Sequence, residues 1–592
     1  MHALPMKPLI LAVAIVFGMG IYAPVRAAAD VPTRVKALND LLGEQWQYTL
    51  KEAPEFATIL GDLRYNDKWS DQTLAHAQQQ KKDAQGFLAR FKAIDINGFA
   101  DQDRLNQQLM VRQLQDNIRG TDLKLNEMPL DQFGGAHLQL AQFVSAIPFE
   151  NTKNYEDYLT RLNNVPRLFD QMIEVLKQGE KDHLMPPRYL LEKVVTQCQS
   201  IAEPAGEASV FGHAVAKFPD AVPEADRKRL HDAIIAAVDS KVRPAYRKLA
   251  DFVAKDYAPK GRTDPGLWSL PNGDELYKFA IEQQTTTNKS PQEIHELGLS
   301  EVKRIEGEQL KIAQKQGYKD LKSFRAAMAA DPKTHASSRQ QIVDLYKKYI
   351  AQMQPKLPEL FGLLPKTQVE VLPVQEYREK EASGAEYNQG TPDGKRPGRV
   401  YVNTSDFANR TILNIESTAY HEGVPGHHMQ ISIAQSLADL PPFRRQAGYT
   451  AYIEGWALYA ERLGEEVGFY QDPLSFYGHL SDELLRANRL VLDTGVHYKH
   501  WTRQQMVDFF HEHSSQDEPE VRAETDRYIV LPAQALAYKI GQLKILELRE
   551  RAKKTLGAKF DIRAFHDQIL NGGALPLDVL SERIDSWIAT VK

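Results

Sequence analysis

Cysteine is almost absent: Cys198 is the only one among 592 residues. That excludes an intramolecular disulfide and any cysteine-rich zinc or iron–sulfur centre, so a metal would have to be held by His, Asp or Glu. Positive charge is not in excess either. Lys and Arg number 73 against 78 Asp and Glu, for a net charge of −5. A nucleic-acid binder would carry a basic surplus, so no nucleic-acid partner is expected. Past the first 29 residues no segment approaches the ~20 apolar residues of a membrane span, so no stable membrane insertion is expected. Internal repeats and low-complexity tracts are missing too. What remains is ordinary globular composition, 42% apolar and 26% charged, which argues against a disordered or fibrous chain.

The N-terminus is the exception. Lys7 forms a short basic region, Pro8 to Tyr22 is nearly all apolar, and Pro24-Val25-Arg26-Ala27-Ala28-Ala29 supplies small residues. Residues 1–27 read as a cleaved signal peptide, which makes the protein periplasmic or secreted.

The rest reads as mainly helical. Tyr158, Leu162, Val165, Phe169, Met172 and Leu176 recur at helical spacing, with Pro166 expected to kink or restart the helix. Ser290-Pro291-Gln292-Glu293 has the form of a capping box. Strand signals are few. Val369 and Val371 alternate with polar neighbours, as do Val400 and Val402, and Ala382 to Pro397 reads as a long surface loop. The Pro- and Gly-rich stretch 255–275 is the best connector, dividing an N-terminal helical half, 28–265, from a C-terminal half, 266–592, within one structural unit.

Chemistry concentrates in His421-Glu422-Gly423-Val424-Pro425-Gly426-His427-His428-Met429-Gln430. In the helical metal motif H-E-x-x-H, two histidines share a face and the glutamate takes a proton from water. Here the second histidine comes later. On an unbroken helix His428 returns to the face of His421; if Pro425 and Gly426 break the helix, His427 can swing back instead. Glu454 follows in Tyr452-Ile453-Glu454-Gly455-Trp456, beside an apolar stripe where a carboxylate must be paired or metal-bound. It is the candidate third ligand, whereas Glu461, two turns on, reads as a support behind a ligand or, in preference, as a simple ion-pair partner. Elsewhere, Asp493-Thr494-Gly495-Val496-His497 and Arg527-Tyr528 supply groups able to stabilise an oxyanion, namely His497 and Tyr528.

The 421–430 string resembles the signature of the bacterial domain-of-unknown-function 885 family. So do Gly61 to Asp67, Leu270 to Gly273, Thr285 to Thr287, His295 to Val302, and the segments around Asp493 and Arg527. The family in turn resembles the gluzincin-type zinc peptidases, which include thimet oligopeptidase, carboxypeptidase Taq and angiotensin-converting enzyme. This resemblance implies a large two-lobed, mainly α zincin-like fold around a deep channel, with a small β-sheet near the active-site helix. It implies a zinc metallopeptidase that hydrolyses short peptides with one zinc ion per chain. The ligands would be His421, His427 (with His428 the alternative) and Glu454, and Glu422 the general base. Tyr528 would assist the oxyanion, and His497 stands in for a histidine found near the Arg-Tyr pair in the converting enzyme. Tyr401 to Asn403 would form an edge strand for substrate, so Tyr401, Asn403, Arg527 and Gln430 are the candidate substrate contacts. His295 receives no catalytic role. Two other readings share this site: an amide hydrolase acting on non-standard peptides or conjugates, and an inactive periplasmic binding protein of the same fold.

Overall fold

The computed structural model describes residues 30–375, 379, 382–516 and 518–592; the leader, 1–27, lies outside them. Helices dominate these residues, joined by one small sheet. The apolar stripe around Phe169 lies on α1 (Thr152–Lys181), and all six of its residues are buried. α1 runs through Pro166 without restarting there. A mid-helix proline costs about 3 kcal/mol. Each large apolar side chain buried on either side contributes about 1.5–3 kcal/mol, so packing outweighs the lost hydrogen bond. The capping box forms as read: Ser290 and Glu293 bond each other's backbone at the start of helix Pro291–Lys315.

The sheet comprises β1 (Val369–Pro373), β2 (Ala385–Asn388) and β3 (Gly398–Val402) in the order β1-β3-β2. β1 runs parallel to β3, with Val369 opposite Gly398; β2 runs antiparallel, with Ala385 opposite Val402. The alternating segments around Val371 and Val400 are therefore strands. β2, however, falls within the stretch read as loop. Its four residues are too few to display alternation, and its pairing with β3 is what makes it a strand. β3 is bonded on both sides, so Tyr401 and Val402 occupy the middle of the sheet, and β2 is the edge next to the site.

Core packing does not divide at residue 265. Leu38, Phe91 and Met110 share one apolar core with Trp456, Ile540 and Ile584. Residues between Leu130 and Ala258 build a second core around Tyr158, Phe169 and Tyr246. The stretch 255–275 is no loose linker. Arg262 donates to the carbonyls of Met185 (3.0 Å), Asp264 (2.6 Å) and Gly266 (2.7 Å), closing the connector onto the end of α1's neighbouring loop.

Six more helices position the site: α2 (Ile415–Glu422), α3 (His427–Ser436), α4 (Thr450–Glu466), α5 (Pro473–His497), α6 (Glu518–Val530) and α7 (Ala537–Leu556). α4 and α7 touch backbone to backbone. A Cβ on Gly455 would stand 2.4 Å from Gly541 Cα, and one on Gly541 would stand 1.8 Å from Ala451 O. Only glycine permits that approach, and the crossing lies one residue from Glu454. No described helix is long and apolar enough to cross a membrane.

Two glycine substitutions test this crossing. Gly541→Ala should destabilise the chain by about 1–3 kcal/mol through overpacking. Gly307→Ala, on the open face of helix Pro291–Lys315 with nothing within 4 Å, should stabilise it by about 0.5–1 kcal/mol. Denaturant unfolding of both variants reads the difference, and equal effects would refute the close crossing.

Candidate metal centre

The site begins with a broken helix. α2 stops at Glu422 because Pro425 lacks an N–H and Gly423 and Gly426 loosen the backbone. Gly426 N–H turns back to Tyr420 O (2.9 Å), and a Cβ on Gly426 would lie 1.9 Å from His421 O. The Val424–Pro425 bond is cis. Trp456 Nε1 on α4 donates to Pro425 O (2.9 Å), fixing the break against α4. α3 then opens on His427, whose ring stands perpendicular to that of His421 with centroids 4.8 Å apart.

The break decides which histidine meets Glu454. His427 Nε2 lies 3.3 Å and His421 Nε2 3.7 Å from Glu454 Oε2. His428 turns away. Its Nε2 donates to Thr367 O (3.1 Å), and its Nδ1 accepts from Tyr387 OH (3.1 Å). Burial pushes its pKa down to about 4, so both ring nitrogens are engaged in the neutral state. Among the described residues Glu454 forms no ion pair with an arginine; its neighbours are the two histidines. Its Oε2 is buried and makes no hydrogen bond. One ligand atom each from His421, His427 and Glu454 falls within 4.8 Å of the others, so the three can hold a cation.

Glu461 does more than the ion pair expected of it. Its Oε1 accepts from His421 Nδ1 (2.8 Å), and Ser417 Oγ donates to its Oε2 (2.8 Å). Tyr470 OH bonds its backbone carbonyl (2.9 Å). This fixes the tautomer of His421 and points Nε2 at Glu454. Burial opposes charge on His421, but the nearby carboxylates of Glu454 and Glu461, the latter hydrogen-bonded to Nδ1, and the charge of Glu422 outweigh it, holding the ring up to about 10. Burial likewise opposes charge on Glu454, yet His427 and His421 keep its carboxyl well below the usual range. Arg486, 3.8 Å from Glu461 Oε1, balances that carboxylate, which leaves Glu422 and Glu454 beside the two imidazoles.

Glu422, His421, His427 and Glu454 share the wall of a cavity of about 980 Å³. Arg486, Arg489, Arg527 and Tyr538 also line it. Tyr538 stacks beside His421, with centroids 6.4 Å apart and planes 16° apart, and the Arg489 guanidinium sits 4.5 Å from the centroid of the Tyr538 ring. Arg489 Nη1 is buried without a hydrogen-bond partner. Sequence spacing gave Tyr538 no role and did not single out Arg489. Their signal is tertiary, since α5 and α7 bring them to α2 only in the folded chain.

The proposed oxyanion groups are elsewhere. Tyr528 is fully buried; its hydroxyl donates to Glu524 (2.5 Å) and accepts from Arg489 Nε (3.0 Å), behind the cavity wall. His497 Nδ1 accepts from Leu267 N (3.1 Å), and its Nε2 donates to Tyr528 O (2.9 Å). Neither has a free group for substrate. Asp493 accepts from Tyr277 OH (2.7 Å) and Ala533 N (2.9 Å), and burial pushes it up to about 7. The Asp493–His497 cluster is thus a brace tying α5 to its neighbours. His295 belongs to the same brace, through Thr494 Oγ1 (2.8 Å).

The substrate candidates separate in the same way. Arg527 lines the cavity, paired with Glu524 at 3.1 Å. Asn403 lines it too, but its amide is tied to Glu379 O (2.6 Å) and Ala382 O (2.8 Å). Tyr401 faces a neighbouring cavity. Gln430 is buried on α3 and outside both cavity walls. The edge expected at Tyr401–Asn403 is supplied by β2, whose residues Ala385, Glu386 and Tyr387 line the large cavity.

A helical chain with a buried histidine–glutamate cluster in a cavity is the class these observations define. Residues 54–584 match the family of bacterial proteins of unknown function DUF885, and the chain belongs to that family. The crystal structure of a provisionally assigned lipoprotein from Colwellia psychrerythraea is similar, with TM-score 0.89 and 30% identity, covering 94% of this chain and 99% of that one. A provisionally assigned lipoprotein of unknown function from Shewanella oneidensis shares the fold, with TM-score 0.69 and 19% identity over 94% and 99% of the two chains. No curated protein is significantly similar in sequence.

The brace predicts an acid-sensitive fold. Burial holds His497 down to about 3, and His566, bonded to Leu360 O and Tyr459 OH, down to about 3. Each takes up its proton more readily when unfolded, with an ordinary value near 6.5. Their contribution is therefore complete above that value and is lost as pH falls from about 6.5 toward 3. In denaturant unfolding, the gap between wild type and His497→Gln should narrow by about 1.4 kcal/mol per pH unit below pH 6. A gap that is constant from pH 7 to 5 would contradict a neutral buried His497.

Proposed function

We propose that this chain is a zinc-dependent hydrolase that cleaves amide bonds of short peptides. One observation carries the reading: Glu454 Oε2 is buried between the Nε2 atoms of His421 and His427 with no hydrogen bond. His421, His427 and Glu454 would hold the ion, and nitrogen and carboxylate donors suit zinc, with manganese or cobalt able to replace it. The bound ion supplies Lewis-acid polarisation of a carbonyl and acidifies water near neutral pH.

The protein's own groups do the rest. Glu422, on the cavity wall next to His421, accepts the proton of the attacking water and returns it to the leaving amine. Glu461 holds His421 in one tautomer. Arg489 and Tyr538 line the cavity where charge develops on the carbonyl oxygen, and so replace Tyr528 and His497 as the candidates for stabilising it. The edge strand β2 offers backbone groups to an extended substrate. A cavity of about 980 Å³ suits a short peptide and excludes a folded protein. The resemblance of the 421–430 string to the zinc peptidases supports the same reaction. Export to the periplasm or beyond is supported by the leader-like residues 1–27 and by the lipoprotein assignment of the relatives.

Metal analysis by mass spectrometry and peptide turnover together test this. Wild type should carry one zinc per chain. His427→Ala should lose it, whereas Glu422→Gln should keep the metal and lose turnover by about 100-fold or more. A metal-free wild type, or a Glu422→Gln chain as active as wild type, would refute the mechanism.

A further inference from the structure

A second cavity of about 610 Å³ adjoins the first, and the two share Gln142 and Glu386 in their walls. Because Glu386 belongs to β2, the strand beside the histidine–glutamate cluster also borders this second space. Part of its wall is apolar and aromatic, formed by Phe56, Trp69, Leu140 and Phe143. These rings are set in place. Trp69 and Phe143 meet edge to face at 5.5 Å, and the guanidinium of buried Arg161 sits 5.0 and 4.8 Å from their centroids. Trp69 Nε1 also donates to Arg161 O (2.9 Å). A surface held this way can receive an apolar side chain without reordering.

Elsewhere the wall is charged. Glu55 is occupied, accepting from Ser70 N (3.0 Å) and Ser70 Oγ (2.5 Å). Arg399 pairs with Glu370 at 3.3 Å. Arg396 differs from both. Among the described residues it has no carboxylate partner; its Nε is buried without a hydrogen bond, and Nη2 reaches only Gln389 O at 3.4 Å. Burial, then the charge of Arg399, pulls its pKa down. A half-buried guanidinium whose Nε has no partner gains from meeting an anion, and its planar fork matches a carboxylate.

We propose that the second cavity is a substrate subsite in which Arg396 binds a carboxylate while Trp69 and Phe143 receive the neighbouring apolar side chain. The substrates are then short peptides that carry a carboxylate beside an aromatic or aliphatic residue, away from the bond that is cut. This rests on the reading of the adjoining cavity as the reaction site. The carboxylate comes either from the peptide's C-terminus or from an acidic side chain, and both present the same two oxygens.

Calorimetric titration of zinc-loaded Glu422→Gln protein separates these cases without turnover. The ligands are an alanine tetrapeptide ending in phenylalanine as free acid, the same peptide as its C-terminal amide, and that amide with aspartate before the phenylalanine. At least one carboxylate form should bind on the order of 10- to 100-fold more tightly than the plain amide. Which one it is identifies the source. Adding Arg396→Gln should erase the preference, with an unchanged circular dichroism spectrum and unfolding midpoint showing that the variant is folded. Arg396→Lys should restore part of it. Equal binding of all three peptides, no binding of any, or a preference that survives Arg396→Gln would overturn the subsite. If carboxylate preference appears but wild type cleaves none of the peptides, the hydrolase reading fails and the subsite stands.

Discussion

Everything near the large cavity follows from burying the carboxylate of Glu454 between two imidazoles. An isolated buried carboxylate is heavily penalised. Glu454 avoids that penalty by facing His427 and His421, which keep its carboxyl well below the usual range. Its Oε2 nevertheless receives no hydrogen bond. The arrangement is satisfied electrostatically but left open for one more ligand-seeking centre. Glu461 reinforces this from behind by fixing His421, so the cluster has both donors and a support that orients them.

Backbone geometry makes that convergence available. Pro425 and the two flanking glycines end α2 and restart the chain as α3, setting the rings of His421 and His427 at right angles. The Gly455–Gly541 contact draws α4 and α7 together. It delivers Glu454 from one helix and Tyr538 from the other to the same cavity. Small residues are therefore as necessary to the site as the histidines.

Much of this was legible in the sequence, for definite reasons. The mainly helical class showed in apolar periodicity, and the capping box at Ser290 formed as written. His421, Glu422, His427 and Glu454 stood out because polar metal-binding side chains cluster along the chain next to apolar stripes. Spacing alone left His427 and His428 open; the helix break brings His427 to Glu454 and sends His428 to Thr367 and Tyr387. Other features could not be read. β2 is too short to show a pattern, and α1 tolerates Pro166 because its neighbours are deeply packed. Arg489 and Tyr538 reach the cavity from α5 and α7, so no local motif marks them. Tyr528 and His497 looked chemical in sequence, yet their polar atoms are used to join α5 and α6.

Anomalous diffraction at the zinc edge, on crystals of the chain grown with equimolar zinc, tests the central claim most directly. The account predicts a single strong peak bounded by His421 Nε2, His427 Nε2 and a Glu454 carboxylate oxygen. A peak at His428, or no peak within reach of Glu454, would contradict it.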